Sequence, residues 1–423
     1  MKGLIGFGGS WWICVIFFLT QCDKHDTGMT EETAFQRPEV ETDVPDDESE
    51  IPSLEVIRVF EEGTDGYHSY RIPCLALAAN GNLIAFAEGR KHTSLDYGDI
   101  DLVYKLSTDG GETWSDLKMV IGDGDGTWGN PTAVTDRETG RMWLFLSWND
   151  DSHAQSGGAF DGKTYEPIDT WGQRRVFALH SDNHGESWST PLDLTETLLP
   201  PHFTWDAMGP GIGIQVAHGP ASGRLIIPAQ GRNIYSDDHG KTWQYQLVPD
   251  GTGETTIVEL SNGLLMRNDR PVTSAWEDSR TRFVSIGSIE SGFSPFRAER
   301  SLPDSRCQAS MLRYSWTPSR ILFLNPANNE GSGMPFRCRM TVRLSYDEGA
   351  TWAESRRLYP DLTAEETCEQ GYGGYSSLIA TDDGYIGALV EHNSDPLAGA
   401  ALNRHHSIDY HKFNLAWVID STE

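Results

Sequence analysis

Several short segments place arginines and carboxylates beside strand-like runs of alternating residues. Arg71 and Arg90 follow the first of these runs, and Asp96 opens an acidic stretch that also contains Asp99 and Asp101. A guanidinium group binds an anion through bidentate, charge-assisted hydrogen bonds, and a carboxyl group can move a proton to or from a reacting atom. Taken singly, each residue is also an ordinary polar residue at a strand end, so its chemistry depends on the elements that position it.

The later part of the chain repeats this combination of residue types. Glu254 opens an apolar run, and Arg270 closes the sequence Asn268-Asp269-Arg270, with Arg267 as a competing arginine. Further candidates follow toward the C-terminus: Arg337, Arg339, Arg343, Tyr372, Tyr375 and Glu391. The three arginines are separated by even numbers of positions, so a regular strand would place them on one face.

A sequence motif that occurs four times, called here the repeated phrase, indicates the elements that position these residues. The copies occupy residues 107–114, 181–188, 236–243 and 345–352. Each follows a strand-like run and holds an Asp or Asn, an obligatory glycine and a closing Trp. The Asp or Asn can bond the turn backbone, the glycine can adopt positive φ, and the Trp can fill the apolar gap beneath. Each copy is predicted to be a hairpin turn between two strands.

The spacing of the copies predicts a propeller. Their starts lie 74, 55 and 109 residues apart, so a degenerate copy is expected in the last gap, where Ser288–Ser294 is a poor candidate because it lacks the Trp. Units of about 50 residues with four strands are the size of blades. We therefore expect an all-β, six-bladed β-propeller, closed by pairing of Leu54–Phe60 with a strand at Ile408–Val418.

The composition fits one large, turn-rich domain. The 423 residues include 14 Trp and 43 Gly, and no amphipathic helical stretch of useful length stands out. A formal net charge of −29 argues against nucleic acid as a partner and against a polybasic membrane-binding surface. A local cluster of arginines can still bind a small anion.

The N-terminus is predicted to be an export signal. Lys2 precedes an apolar run, Trp11–Leu19, which is too short to span a bilayer, and Cys22 follows. This pattern resembles a bacterial lipoprotein signal over residues 1–22. It predicts a lipid anchor on Cys22 as the only membrane association, in the periplasm or at the cell surface of a bacterium. Residues 23–52 are acidic and are expected to be a disordered linker before a domain at 53–420.

Four cysteines remain after this signal: Cys74, Cys307, Cys338 and Cys368. Their spacing forms no zinc-binding pattern. Export permits disulfides, but nothing in the sequence selects partners, and buried free thiols are expected.

The repeated phrase resembles the Asp box of sialidases and related propellers. Tyr70-Arg71-Ile72-Pro73 resembles the Arg-Ile-Pro motif of that family, Glu88-Gly89-Arg90 follows in the family's order, and Gly374-Tyr375-Ser376 resembles its Tyr-Ser motif. The resemblance covers about residues 54–418. It implies a sialidase-type propeller with bacterial exo-alpha-sialidase activity.

The resemblance also implies roles for individual residues. The expected site consists of the carboxylate-binding arginines Arg71, Arg270 and Arg337, the auxiliary Arg90, the catalytic Asp96, Glu254 and Tyr375, and the supporting Asn130 and Glu391. Asn130, which precedes Pro131, is also typical of an ordinary turn. Arg267 remains an alternative second arginine, and Arg339 and Arg343 remain alternatives for the third. Tyr372 is the alternative tyrosine.

The implied reaction is hydrolysis of terminal α-linked sialic acid with retention of configuration. The anomeric carbon carries a carboxylate, so a neutral tyrosine avoids the repulsion that a carboxylate nucleophile would meet. Glu254 would take the proton of Tyr375, and Asp96 would protonate the leaving oxygen and then activate water. No metal or organic cofactor is expected. A related nonulosonic acid hydrolase, a trans-sialidase and a sialoside-binding propeller lectin are the alternatives.

Overall fold

The computed structural model describes residues 50–124, 126–272, 278–333, 335–394 and 406–420. The predicted signal, Cys22 and nearly all of the predicted linker lie outside these ranges. Three short helices occur within them: α1 (Thr195–Leu198), α2 (Ala364–Glu369) and α3 (Leu415–Ile419). No helix in the described ranges is long and apolar enough to cross a membrane.

The strands of the first half form three antiparallel blades. Blade 1 comprises β2 (Ser69–Leu77), β3 (Leu83–Arg90), β4 (Ile100–Ser107) and β5 (Lys118–Ile121). Blade 2 comprises β6 (Thr127–Thr135), β7 (Met142–Asn149), β11 (Arg175–Ser181) and β12 (Leu192–Asp193). Blade 3 comprises β14 (Ile214–Gln215), β15 (Leu225–Ala229), β16 (Arg232–Ser236) and β17 (Gln244–Leu247).

The second half forms three more blades. Blade 4 comprises β18 (Thr252–Glu259), β19 (Leu265–Pro271) and β20 (Thr281–Ser288), with β21 (Gly292–Phe293) and β22 (Arg297–Pro303) both paired to β20. Blade 5 comprises β23 (Ser310–Ser315), β24 (Arg320–Pro326), β25 (Met340–Ser345) and β26 (Glu354–Arg357). Blade 6 comprises β27 (Tyr372–Ala380), β28 (Ile386–Asn393), β29 (His406–Phe413) and the N-terminal β1 (Leu54–Phe60).

Additional short strands decorate blade 2. Its second and third strands are separated by a small sheet of β8 (His153–Ala154), β9 (Ser156–Phe160) and β10 (Lys163–Pro167). The two-residue strand β13 (Gly211–Ile212) runs parallel to β6.

The blades form a ring, which confirms the predicted six-bladed propeller. The innermost strands contact one another in a cycle, in the order β2, β6, β14, β18, β23 and β27, with β27 returning to β2. Strand β1 pairs with β29, with Leu54 opposite Phe413, as expected for closure of the last blade. The predicted strand at Ile408–Val418 is too long, because Oδ1 of Asn414 accepts a hydrogen bond from the Trp417 amide and starts helix α3.

The four repeated phrases are turns between the third and fourth strands of blades 1, 2, 3 and 5. In each, the first Ser hydroxyl accepts the glycine amide at 2.8–2.9 Å. The Asp or Asn side chain accepts a second amide at 2.7–3.0 Å. The closing Trp packs on apolar side chains, as Trp114 does on Tyr410 at 5.3 Å between ring centres. The turn at Ser288 occupies the equivalent position in blade 4 without a Trp.

The expectation of free cysteines is wrong for one pair. Cys338 and Cys368, which are 30 positions apart in sequence, form a disulfide with Cα atoms 4.9 Å apart. Cys74 and Cys307 are buried free thiols. The pairing was not readable from the sequence because the loop before β25 and helix α2 meet only in the folded ring.

Candidate active site

The predicted site residues converge on one pocket near the propeller axis, with a volume of about 450 Å³. Eight of them line it, contributed by blades 1, 2, 4, 5 and 6: Arg71, Arg90, Asp96, Asn130, Glu254, Arg270, Arg337 and Tyr375. Glu391, the ninth, is fully buried behind Arg71.

Irregularities in four inner strands aim these side chains into the pocket. The pairing register shifts after Arg71 in β2, after Gly129 in β6, after Thr252 in β18 and after Tyr372 in β27. Such bulges bend a strand and redirect a side chain that regular alternation would place elsewhere. The four shifts lie beside Arg71, Asn130, Glu254 and Tyr375.

Glu391 holds the first arginine in place. Its two carboxylate oxygens accept Nε and Nη2 of Arg71 at 3.1 and 3.2 Å. The same carboxylate accepts the backbone amides of Ile72 at 2.9 Å and Tyr375 at 3.0 Å. Burial raises the pKa of Glu391, but Arg71 and these amides outweigh that effect and lower it below the usual range.

Tyr375, Glu254 and Arg270 form the centre of the pocket. The Tyr375 hydroxyl donates to Oε1 of Glu254. Arg270 Nη1 donates to the other Glu254 oxygen at 2.6 Å and lies 3.2 Å from the Tyr375 oxygen. Desolvation and the charge of Glu254 raise the pKa of Tyr375 well above its usual value, and the neighbouring arginines only partly offset this. The tyrosine is therefore neutral in the free protein, with a base in contact with its proton.

The competing arginines lie elsewhere. Arg337 lines the pocket, with its guanidinium carbon 5.2 Å from the centre of the Tyr375 ring. Arg339 instead pairs with Glu330 at 2.9 Å, and Arg343 donates to the Asn325 side chain at 2.9 Å. Arg267 is buried and pairs with Asp269 at 2.9 Å.

Asp96 reaches over the pocket from the loop after β3. Its Oδ1 lies 3.0 Å from Arg71 Nη1 and 2.7 Å from Arg90 Nη1. The side chain is 76 % exposed to the pocket opening. Desolvation by surrounding protein raises the pKa of Asp96, but Arg90 and Arg71 outweigh it and hold the carboxyl ionised. Arg90 itself is held by Glu88 at 2.6 Å.

The neighbouring aspartates and the alternative tyrosine have structural partners. Asp101 accepts the Tyr67 hydroxyl at 2.7 Å and pairs with Lys91 at 3.0 Å, and Asp99 also pairs with Lys91. Tyr372 stacks on His392 with ring centres 4.3 Å apart. None of these residues lines the pocket.

A buried arginine beside Asn130, which no motif in the sequence indicates, also belongs to the pocket. Arg174 lines the pocket and donates to Oδ1 of Asn130 at 2.8 Å and to the Asp206 carbonyl at 3.2 Å. Its guanidinium lies over the Trp205 ring at 4.7 Å, and desolvation lowers the pKa of Arg174 to about 10. No sequence pattern marks Arg174, because it precedes an ordinary strand and its acceptors Asn130 and Asp206 lie far from it in the chain, on either side.

The small sheet in blade 2 forms one rim of the pocket. Gln155, Ser156 and Gly157 line the opening. Tyr97, next to Asp96, packs on Tyr165 of this sheet with ring centres 4.6 Å apart. The insertion therefore supports the loop that carries Asp96.

The site offers no evident metal centre. Within the described ranges, no group of three or more His, Cys, Asp or Glu residues is arranged to hold a metal ion. The carboxylates that line the pocket, Glu88, Asp96 and Glu254, pair with arginines instead, as does the buried Glu391.

Comparison with known proteins identifies relatives. A family described as BNR repeat-like domain matches residues 81–388. Over 368 residues the chain is 41 % identical to an exo-alpha-sialidase of Arthroderma benhamiae, spanning 84 % of this chain and 85 % of that protein. It is 40 % identical over 370 residues to an exo-alpha-sialidase of Aspergillus fumigatus, spanning 84 % and 86 %.

These relatives contradict the predicted bacterial origin. Both are fungal, so the assignment to a bacterial periplasm or cell surface is wrong. The lipoprotein-like run before Cys22 misled because a short apolar N-terminal stretch with a basic residue is common to export signals in general.

Solved structures share the fold. The Hadza microbial sialidase Hz136 superposes with a TM-score of 0.66 at 24 % identity, covering 86 % of this chain and 69 % of that one. A leech intramolecular trans-sialidase complexed with 2,7-anhydro-Neu5Ac superposes with a TM-score of 0.69 at 19 % identity, covering 86 % and 71 %. With the repeat match and the two relatives at about 40 % identity, the chain belongs to the sialidase family with BNR repeats.

Proposed function

We propose that this protein is a retaining exo-alpha-sialidase, a glycosidase that removes terminal α-linked sialic acid from glycoproteins, glycolipids and oligosaccharides. The hydrogen bond from Tyr375 to Glu254, with Arg71, Arg270 and Arg337 around it, carries the proposal. It supplies a neutral nucleophile, its base and a cationic clamp for the substrate carboxylate.

The first half-reaction forms a tyrosyl-linked sugar. The Tyr375 oxygen attacks the anomeric carbon while its proton passes to Glu254, and the glycosidic C–O bond breaks as Asp96 gives a proton to the leaving oxygen. Water then attacks the intermediate, Asp96 takes its proton, and the proton on Glu254 returns to Tyr375. Two displacements leave the anomeric configuration unchanged.

Asp96 must change partners for this role. In the free protein Arg71 and Arg90 keep it ionised. A substrate carboxylate bound to Arg71 competes for that charge and raises the pKa of Asp96 toward the range where it can hold a proton. Substrate binding thereby prepares the acid.

Hydrolysis of a fluorogenic α-sialoside tests the proposal, and a methyl-ester sialoside is the matched control. Esterification removes the charge that the clamp binds, so we expect kcat/KM to fall strongly. Arg270→Lys should also lose about 2–5 kcal/mol of transition-state stabilisation, because the planar fork is lost although the charge remains. Equal kcat/KM for acid and ester would refute carboxylate recognition.

Arg174 favours a second candidate, hydrolysis of a related nonulosonic acid. Its buried guanidinium has neutral oxygen acceptors, and such a donor pairs better with a ring hydroxyl than with the methyl of an acylamino group. Two aryl glycosides that differ only in carrying a hydroxyl or an acylamino group at the same ring position distinguish the two candidate functions. A higher kcat/KM for the hydroxyl form supports the second candidate, and a higher value for the acylamino form excludes it.

The remaining alternatives and the N-terminal division are tested separately. Added lactose should yield no sialylated product if the protein is not a trans-sialidase, and any hydrolysis excludes a lectin without activity.

We propose that residues 1–22 are a signal, 23–52 a linker and 53–420 the catalytic domain. Mass spectrometry of the mature N-terminus tests this division and shows whether Cys22 carries a lipid.

A further inference from the structure

The three clamp arginines are held in different ways. Glu391 holds Arg71 and Glu254 pairs with Arg270. Arg337 has no carboxylate partner among the residues that the structure describes, and its buried Nε makes no hydrogen bond there. Its guanidinium faces the Tyr375 ring. Something other than an ion pair must therefore fix its position.

Arg337 also lies outside regular structure. Strand β24 ends at Pro326 and β25 begins at Met340, and no described residue between them belongs to a helix or strand. The Ala327 amide donates to the Arg339 carbonyl at the base of this loop, but no backbone hydrogen bond between described residues involves Arg337 itself. Ordering such a residue for binding costs conformational entropy. A clamp residue on such a loop needs an additional constraint.

The neighbouring residue supplies one. Cys338 is 1 % exposed and is covalently bonded to Cys368 in helix α2. The helix begins with a capping box in which Thr363 and Glu366 bond each other's backbone amides. The anchor for the loop is thus a short but well-terminated helix.

The backbone of Arg337 and Cys338 packs against strand β27, which carries Tyr375. A Cβ on Gly373 would lie 2.5 Å from the Arg337 carbonyl oxygen and 2.9 Å from the Cys338 Cα atom. Only glycine permits this approach. The Arg337–Cys338 backbone therefore contacts strand β27 directly, and the disulfide links the same backbone to helix α2.

We propose that Cys338 and Cys368 are positioning residues whose disulfide holds Arg337 in the clamp, so that carboxylate binding depends on the redox state of this bond. The inference rests on the proposed sialidase function. Reduction by dithiothreitol breaks the S–S bond and forms two thiols, while the reagent is oxidised to its cyclic disulfide. Without the cross-link the loop regains its freedom, and Arg337 spends less time in the clamp.

A double-mutant cycle tests the coupling. Steady-state kinetics are measured for the wild type, Cys338→Ser/Cys368→Ser, Arg337→Ala and the triple variant. We expect the double cysteine variant to raise KM about 10-fold with a much smaller change in kcat. The same two substitutions in the Arg337→Ala background should change KM little, because the disulfide acts through the arginine.

Controls separate this effect from misfolding. Cys74→Ala removes another buried cysteine and should leave KM unchanged. Near-UV circular dichroism at the assay temperature confirms folding of each variant. If the double variant does not fold, the wild type is reduced with dithiothreitol below its melting temperature and should show the same rise in KM, again only when Arg337 is present.

Each remaining outcome contradicts the proposal. An unchanged KM in a folded or reduced protein shows that the disulfide does not position the arginine. An equal loss in the Arg337→Ala background shows a general loosening instead. If oxidised wild-type protein binds no free sialic acid in calorimetry and hydrolyses no sialoside, the proposed function itself fails, and this inference fails with it.

Discussion

Charge pairing decides what each residue of the pocket can do before substrate arrives. Glu391 pairs with Arg71 and Glu254 pairs with Arg270, and Asp96 bridges Arg71 and Arg90. Tyr375 keeps its proton because burial and the Glu254 charge outweigh the arginines around it. Five arginines (Arg71, Arg90, Arg174, Arg270 and Arg337) face four carboxylates (Glu88, Asp96, Glu254 and Glu391), so the free site keeps an excess positive charge that an incoming carboxylate neutralises.

Tyr375→Phe should lower kcat about 100-fold or more while leaving the affinity for free sialic acid nearly unchanged, because only the reacting oxygen is removed. Tyr372→Phe is the matched control, since Tyr372 stacks on His392 away from the pocket, and normal turnover is expected. A fluorinated sialyl fluoride should trap an adduct that peptide mass spectrometry locates at Tyr375. An adduct on Tyr372, or normal turnover of Tyr375→Phe, would contradict the assignment.

Asp96→Ala should impair sialosides with poor leaving groups much more than an activated aryl sialoside, which departs with little protonation. Asp99→Ala is the control, because Asp99 pairs with Lys91 and should affect both substrates alike. Comparing kcat/KM for both substrates with both variants checks this. An equal loss on both substrates for Asp96→Ala would assign that residue a structural role.

At the scale of elements, two local devices cooperate. The repeated turns fix the outer strands of each blade by short-range hydrogen bonds, and the glycine in each approaches a side chain beneath it. The bulged inner strands then redirect residues toward the axis. The turns therefore determine where the outer strands end, and the bulges determine which side chains of the inner strands face the pocket.

Gly111→Ala should destabilise the fold more than Gly263→Ala. Both glycines have positive φ, of 91° and 81°, so both variants lose about 1–2 kcal/mol from backbone strain. A Cβ on Gly111 would also lie 2.2 Å from the Tyr410 ring, whereas at Gly263 nothing lies within 4 Å. Denaturant melts should show a further loss of about 1–3 kcal/mol for Gly111→Ala only. Equal losses would rule out this steric account.

At the scale of the molecule, the first and last described strands share one blade. Pairing of β1 with β29 joins residues separated by most of the chain and completes the cycle of inner strands. The site takes residues from five blades. Its geometry therefore depends on closure of the whole ring.

Phe60→Ala should weaken the whole domain, because Phe60 is fully buried in β1 and packs on Tyr70 at 5.3 Å. We expect a loss of about 3–5 kcal/mol, compared with about 0.5 kcal/mol or less for the exposed Val56→Ala in the same strand. Thermal unfolding followed by circular dichroism and by residual hydrolysis should shift together. An early loss of hydrolysis alone would show that the last blade opens independently.

The number of blades and the turns could be predicted from the sequence, and eight of the nine residues it singled out for a site line one pocket in the structure. The Asp-box phrase is readable because its Ser, Asp or Asn, Gly and Trp act within a few residues of each other. Arg71, Asp96 and Tyr375 sit in short motifs, so the resemblance located them without any knowledge of contacts. Such features are local, and local interactions follow from sequence spacing.

Only the tertiary structure distinguished Arg337 from Arg339 and Arg343, which share its strand parity. It also joined Cys338 to Cys368 and brought Arg174 to Asn130. These outcomes depend on a loop without regular structure, on bulges that break alternation and on contacts between blades. No local pattern encodes them, because each partner becomes a neighbour only when the ring closes.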